Sequence, residues 1–335
     1  MSAPPRILVV RRDNIGDLVC TTPLLRALRQ RFPDAWIAAL VNSYNAPVLR
    51  GNPDLNEVFA YRKLKHREPG ESVVANVWAR CRLLARLRRE SPDYVLFAGN
   101  APRATGFTRL LRAGRTVGFA APGWKPDIVV DPGDTAGEHE VEISFRLARA
   151  FDVAGPPPVP AVYPDPALVA RLRERLPARL PGRLAGMHIS ARKPSQRWPI
   201  ERYAELAHEM TRRGDVGVLL FWSPGPATDP RHPGDDGQAQ ALCAELRELP
   251  VVPVPTAELG ELIAGLSLCR SVVCSDGGAM HLAAALGKPI ACLFGRSDAA
   301  RWHPYGVRFE LLQPPSREVR DISVTEVVTA LARLA

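Results

Sequence analysis

Long apolar runs are missing from this 335-residue chain. None approaches the roughly 18 residues that a bilayer-spanning helix needs, so no transmembrane segment is expected. The first residues, Met1-Ser-Ala-Pro-Pro-Arg-Ile-Leu-Val-Val-Arg-Arg12, hold an apolar stretch too short for a secretory leader, and the chain is expected to stay in the cytoplasm. Cysteines are few and scattered. The six, at 20, 81, 243, 269, 274 and 292, include no C-x-x-C pair and no closely spaced histidine partner, which argues against a zinc site and against a disulfide framework. Most sit inside apolar runs, where a thiol behaves as a small core residue.

What is present is an ordinary globular mixture, 46% hydrophobic and 24% charged, in a chain long enough for two domains. The formal net charge of +9 comes largely from arginine, concentrated in Arg80-Cys-Arg82-Leu-Leu-Ala-Arg86-Leu-Arg88-Arg89 and in Arg171-Leu-Arg173-Glu-Arg175. Such runs read either as solvated faces of amphipathic helices or as attraction to nucleotide diphosphates, acidic lipid headgroups or nucleic acid. With no helix-turn-helix, RNA-binding or zinc signature, a non-enzymatic nucleic-acid-binding module rests on charge alone.

Strand-like and helix-like runs alternate along almost the whole chain, the pattern of parallel sheets with helices on both faces. Strands are expected at 7–10, 36–41, 58–61, 94–98 and 117–119, with helices near 18–31, 74–90, 103–112 and 138–152. In the second half strands are expected at 185–189, 217–222, 251–254, 272–275, 290–294 and 309–312, with helices near 166–176, 201–213, 236–248, 257–268, 279–286 and 324–334. Between the halves, Gly155-Pro-Pro-Pro-Val-Pro-Ala-Val-Tyr-Pro-Asp-Pro166 is too rich in proline for regular hydrogen-bonded structure. The expected organisation is α/β: two Rossmann-like domains, 1–155 and 167–335, joined by a linker over 156–166. Their parallel sheets are expected to face across a cleft, with ligands beyond the carboxyl ends of the strands. The last helix is a candidate to cross back onto the first domain.

Residues 271–298 carry the strongest chemical signal. The β-branched run Ser271 to Ser275 empties into Asp276-Gly277-Gly278, and small apolar residues follow as far as Gly287, which reads as strand, glycine turn and helix amino terminus. Glycines let the backbone approach a ligand closely, and unpaired N–H groups at the positive end of the helix dipole favour an anion. Asp276 and His281 bracket the turn, one suited to accept sugar hydroxyls and the other to donate to a phosphate oxygen. The same residues also fit a plain helix start, with Asp276 as N-cap and His281 as packing. Farther upstream, Ser190-Ala-Arg192-Lys193-Pro-Ser195-Gln-Arg197-Trp198-Pro199 sets three cations and two hydroxyls past a strand end, which suits a diphosphate, whereas Trp198 before Pro199 reads as a packing anchor. After the first strand, Arg11-Arg12-Asp13-Asn14-Ile15-Gly16-Asp17 makes a tight turn. Asp17 there is either a helix-capping carboxylate or a general base, and Asp13 is a second candidate.

In three blocks the chain resembles the ADP-heptose:lipopolysaccharide heptosyltransferases, glycosyltransferase family nine, of the GT-B fold. They are Arg12-Asp-Asn-Ile-Gly-Asp17 with Pro23, Arg197-Trp-Pro199 with Tyr203 and Leu206, and Asp276-Gly-Gly-Ala-Met-His281 through Leu293-Phe-Gly295, Ser297-Asp298 and Trp302-x-Pro304-Tyr-Gly306. The resemblance implies Asp17 as catalytic base and Asp276 as the holder of heptose hydroxyls. It further implies Gly277, Gly278 and His281 around the diphosphate, with Ser190 as a hydroxyl contact and Met280 as a secondary candidate. Lys193 and Arg197, with Arg192 in reserve, are the cations expected to steady the leaving group. It also implies an inverting, metal-independent transfer from ADP-heptose, with no cofactor beyond the donor, to a lipid A-linked acidic saccharide. The reaction would take place at the cytoplasmic face of the inner membrane, with transient contact to that surface and without nucleic acid. Two features depart from the family. Gln196 stands where many relatives have lysine, and the loop from Phe221 to Gly237 is long and proline-rich where relatives commonly offer a glutamate to the ribose. A family-nine enzyme using another nucleotide sugar for O-antigen, capsule or another glycan, and a nucleotide-sugar epimerase or hydrolase, are the alternative readings.

Overall fold

A computed structural model describes residues 3–61, 73–99, 110–111, 113–229 and 233–335. Apart from residues 110 and 111, the helix expected near 103–112 lies outside the described residues. The chain divides into two compact units, Met1–Pro160 and Ala161–Ala335, with the boundary inside the proline-rich stretch.

In the first unit β1 (Arg6–Val10), β2 (Trp36–Asn42), β3 (Glu57–Tyr61), β4 (Tyr94–Phe97), β5 (Arg115–Gly118) and β6 (Ile128–Val129) form one sheet, ordered β3-β2-β1-β4-β5-β6. Every pairing in it is parallel. The central strands Ile7-Leu-Val-Val10 and Ile37-Ala-Ala-Leu-Val41 are apolar without alternation because helices cover both faces of such a sheet, and all of these residues are buried. Two elements differ from expectation for local reasons. The helix expected at 18–31 is two helices, Ile15–Val19 and Thr22–Arg31, since Pro23 in the first turn of the second has no N–H with which to continue the first. The stretch expected at 138–152 starts as the helix Glu140–Phe145, then tightens into a 3-10 turn over Arg146–Phe151 that stops at Asp152 in the left-handed region, φ 59°. The two-residue β6 is too short to leave a periodic signature.

The second unit repeats the design with β7 (Arg183–His188), β8 (Val216–Trp222), β9 (Val251–Pro255), β10 (Ser271–Ser275), β11 (Ile290–Leu293) and β12 (Phe309–Leu312), ordered β12-β11-β10-β7-β8-β9 and again all parallel. Its last helix, Val324–Leu334, starts on a capping box of Ser323 and Glu326. The helix buries Val327, Ala330 and Leu334 against β11, β12 and the helix Ile200–Thr211. These contacts place its apolar stripe on the core of the second unit. Trp198 is the anchor its context suggested: it is buried, donates from Nε1 to the Ile322 carbonyl at 2.8 Å, and meets Tyr203 edge-on at 4.9 Å.

In both sheets the direction of winding reverses between two central strands, β1 and β4 in one, β7 and β10 in the other. Chain segments leaving the carboxyl ends of such a pair diverge, and the crevice between them is where ligands bind in open α/β sheets.

Candidate functional site

In the second unit the reversal point is spanned by Gln196. Ser195 closes against the end of β11 because Gly295 has no side chain, and a Cβ there would collide with the Ser195 carbonyl. The next residue, Gln196, is buried, and its amide nitrogen donates to both Asp276 Oδ2 and Ser297 Oγ, the latter at 2.9 Å. A side chain from the β7 loop thus fixes the carboxylate at the end of β10. Burial raises the pKa of Asp276, opposed by hydrogen bonds from Ser297 and Gln196 and by the charge of Lys193. Its backbone N–H donates to the Leu293 carbonyl at 3.0 Å, and it stands one residue before the N-cap of the helix Gly278–Ala285. The N-cap position belongs to Gly277, at φ 156° and ψ −167°, a region open essentially to glycine alone. No side chain caps this helix, which leaves its first-turn amides for a ligand or water.

Around this corner the other expected residues fall into two groups. Arg192 and Lys193 are exposed. Ser190 Oγ accepts the Ser223 amide at 2.9 Å, which keeps its own proton for another acceptor. Arg197 is partly engaged, with Nη1 2.6 Å from Oδ1 of the buried Asp235. His281 is buried edge-on against Trp302, with ring centroids 5.9 Å apart. The Met280 side chain is wholly buried with Sδ 3.0 Å from Cys292 Sγ, so any ligand contact at that position is made by its backbone. Behind the loop lies His188. Burial pushes its ring pKa down to about 4 against the pull of Asp235, so the imidazole is neutral at neutral pH.

The first unit's reversal point is built around Arg11, the first residue past β1. Its buried guanidinium holds three carboxylates: Asp17 Oδ1 at 2.7 Å, Glu140 Oε1 at 2.8 Å and Asp13 Oδ2 at 3.1 Å. It also donates to the Ala98 carbonyl at the end of β4 and to Ser144 Oγ. Burial works against the Arg11 charge, but Glu140, Asp17 and Asp13 outweigh it and raise the pKa. Asp17 is the third residue of the helix Ile15–Val19, where its Oδ2 accepts from the Asn14 backbone N–H at 3.0 Å to complete a capping box. The carboxylate therefore caps a helix, as one sequence reading had it, and it does so at the reversal point. Asp13 fits beside it because Gly99 has no Cβ, and its carbonyl is gripped by Asn42, Tyr44 and Asn45.

Arg11, Glu140, Gln196, Asp235 and His188 had no assigned role in the sequence. The available signal was a polar residue directly after a buried strand, as for Arg11, or inside an otherwise apolar helix start, as for Glu140. Among the described residues no group of three or more His, Cys, Asp or Glu side chains is arranged to hold a metal ion.

Residues 80–325 match glycosyltransferase family 9 (heptosyltransferase). Over 309 residues, 88% of this chain and 83% of the relative, the sequence is 24% identical to lipopolysaccharide heptosyltransferase 2 of Salmonella typhimurium. Among solved structures, the fold is shared with a glycosyl transferase family 9 protein of Veillonella parvula, at TM-score 0.83 and 20% identity over 100% of this chain and 98% of that one. It is shared equally with E. coli ADP-heptose lps heptosyltransferase II, at TM-score 0.79 and 22% identity over 98% of each chain.

Proposed function

The chain belongs to glycosyltransferase family 9, and from that premise we propose that it transfers a heptose from ADP-heptose to a lipid A-linked acidic saccharide, with inversion and without a metal. The observation that carries this reading is the Asp276 carboxylate, fixed by Gln196 and Ser297 beside an uncapped helix amino terminus. One part suits sugar hydroxyls and the other a diphosphate.

The proposed step is a single displacement. Asp17 takes the proton from an acceptor hydroxyl as its oxygen attacks the anomeric carbon, and the bond from that carbon to the diphosphate oxygen breaks, with ADP leaving on the opposite side. Arg11 and Asn14 hold Asp17 in one orientation while oxygen lone pairs remain for the incoming proton. Charge grows on the leaving diphosphate, where the amides of Gly277 and Gly278 with Lys193, Arg197 and His281 would stabilise it without a metal ion. Ser190 and Arg192 stand ready to add a hydroxyl and a cation.

A second reading, a different donor nucleotide for O-antigen, capsule or another glycan, is favoured by the loop after β8. Two of its acidic residues, Asp235 and Asp236, are turned to Arg197, Trp222 and Gly225, so neither of these two is presented to a ribose. The test is a donor panel with a lipid A-linked acceptor. ADP-heptose should give ADP and an acceptor heavier by one heptose, and in melting experiments ADP at 100 times its Kd should stabilise the fold by about 2.7 kcal/mol, ahead of UDP, GDP and dTDP. Preference for another nucleotide sugar would select the second reading, and nucleotide release without a glycosylated product would point to hydrolysis or epimerisation. The surroundings of the reaction in this reading are the cytoplasm and the inner face of a membrane. No described helix is long and apolar enough to cross one.

A further inference from the structure

The helix Val73–Glu90 presses Leu83, Leu84 and Leu87 onto the first unit's core and leaves another stripe to solvent. Trp78, Arg82, Ala85 and Arg89 succeed one another at intervals of four, three and four residues, which sets them in one line along the helix, and all four are exposed. Trp78 keeps 60% of its surface open and Val77 beside it 49%. The Arg82 guanidinium lies 4.6 Å from the Trp78 ring centroid. Leu110, 49% exposed, borders the same helix, where its carbonyl accepts from Arg88 Nε.

Charge and apolar surface coincide here. Arg80, Arg82, Arg86, Arg88 and Arg89 come from this one helix, while among the described residues the acids Glu57 and Glu90 beside it are each taken by an arginine, Arg86 and Arg6. Among the described residues the excess charge on this helix is therefore positive. A helix that merely solvates its outer face has no use for an open tryptophan and valine. A nucleic acid would engage the arginines and the tryptophan ring but gains nothing from Val77 and Leu110. A bilayer with acidic lipids uses both: indole settles at the headgroup level, aliphatic side chains reach the acyl boundary, and guanidinium groups pair with lipid phosphates.

We propose that this helix docks the first unit on an anionic lipid bilayer through Trp78, Val77 and Leu110, with Arg82, Arg88 and Arg89 on the lipid phosphates. This deepens the membrane contact contained in the proposed function by naming its surface. Its test uses neither donor nor acceptor, so the two ideas fail separately.

Cys81 supplies the probe. It is the exposed cysteine of the six, the others being buried or, for Cys243, half-buried. In full-length protein carrying Cys243→Ser, Cys81 takes an environment-sensitive fluorophore, and vesicles of phosphatidylcholine with a rising share of phosphatidylglycerol are added. The expected result is a blue shift, together with co-sedimentation of unlabelled protein, both growing with the anionic share and receding with salt. The double variant Arg82→Gln/Arg89→Gln should lose on the order of twenty-five-fold in partitioning, since each basic side chain near the surface counts for about fivefold. Trp78→Ser should bind less at every lipid composition, with unchanged circular dichroism in all variants. Three outcomes would overturn the proposal: no vesicle binding at low salt, binding indifferent to these substitutions, or a fluorophore that responds to oligonucleotides and not to vesicles.

Discussion

The two reversal points are alike in topology and opposite in electrostatics. In the first unit one buried guanidinium holds three carboxylates, and the acidic side chains are oriented before any ligand arrives. In the second unit Arg192 and Lys193 stand open, the helix amides are uncapped, and the Asp276 carboxylate is steadied by a neutral amide. An ion-paired acidic cluster suits work on a proton, because its geometry costs nothing further to set. An open cationic corner suits the arrival of an anion, because Arg192 and Lys193 are exposed and free to turn towards it. The same sheet order thus yields two kinds of chemistry through what is attached to its central strands.

The comparison can be broken at several points. The largest effect is expected from Asp17→Asn, which keeps the shape of the cluster and removes the base. Turnover should fall roughly 10²–10⁴-fold with little change in donor KM, and normal turnover with a verified donor and acceptor would remove Asp17 from that role. Arg11→Met should cost about 3–5 kcal/mol of folding stability in urea titrations, because carboxylates that are now paired would be buried alone. A loss within experimental error would mean that the cluster is not held by its guanidinium.

The second unit gives two smaller effects. His188 has a folded pKa near 4 and an ordinary unfolded value near 6.5, so the unfolded chain binds the proton first. The stability it contributes is complete above about pH 6.5 and is lost as pH falls towards 4, by about 3 kcal/mol in all. His188→Gln should flatten this limb of the stability profile, whatever its effect on absolute stability. Gln196→Leu leaves Asp276 without its amide partner and should weaken donor binding about tenfold to a hundredfold, read by calorimetry, while leaving the Arg11 cluster untouched. If donor binding were unchanged, the contrast between the corners would rest on the exposed cations alone.

Much of this was legible in the sequence. The strand, glycine turn and helix at 271–285 stood out because glycine chemistry and β-branched runs are local properties, and Asp17 and Asp276 were found the same way. The clusters that hold them were hidden by distance along the chain: Glu140 reaches Arg11 from 129 residues away, and Gln196 reaches Asp276 from 80. Gln196 read as the absence of a lysine, whereas the folded chain shows a two-pronged amide donor. The partners of the last helix were hidden as well, since its apolar stripe tells that it packs, not on what; they are β11, β12 and the helix Ile200–Thr211.

By itself the sequence determined the two α/β halves, the proline-rich boundary and the identity of the two corner carboxylates, because periodicity, proline and glycine act over a few neighbouring residues. Only the tertiary structure decided that Arg11 answers three acids and that Gln196 ties Asp276 to Ser297. Those contacts exist because parallel strand order brings the ends of β1 and β4, and of β7 and β10, side by side, and no local pattern in the chain records which distant side chains meet there.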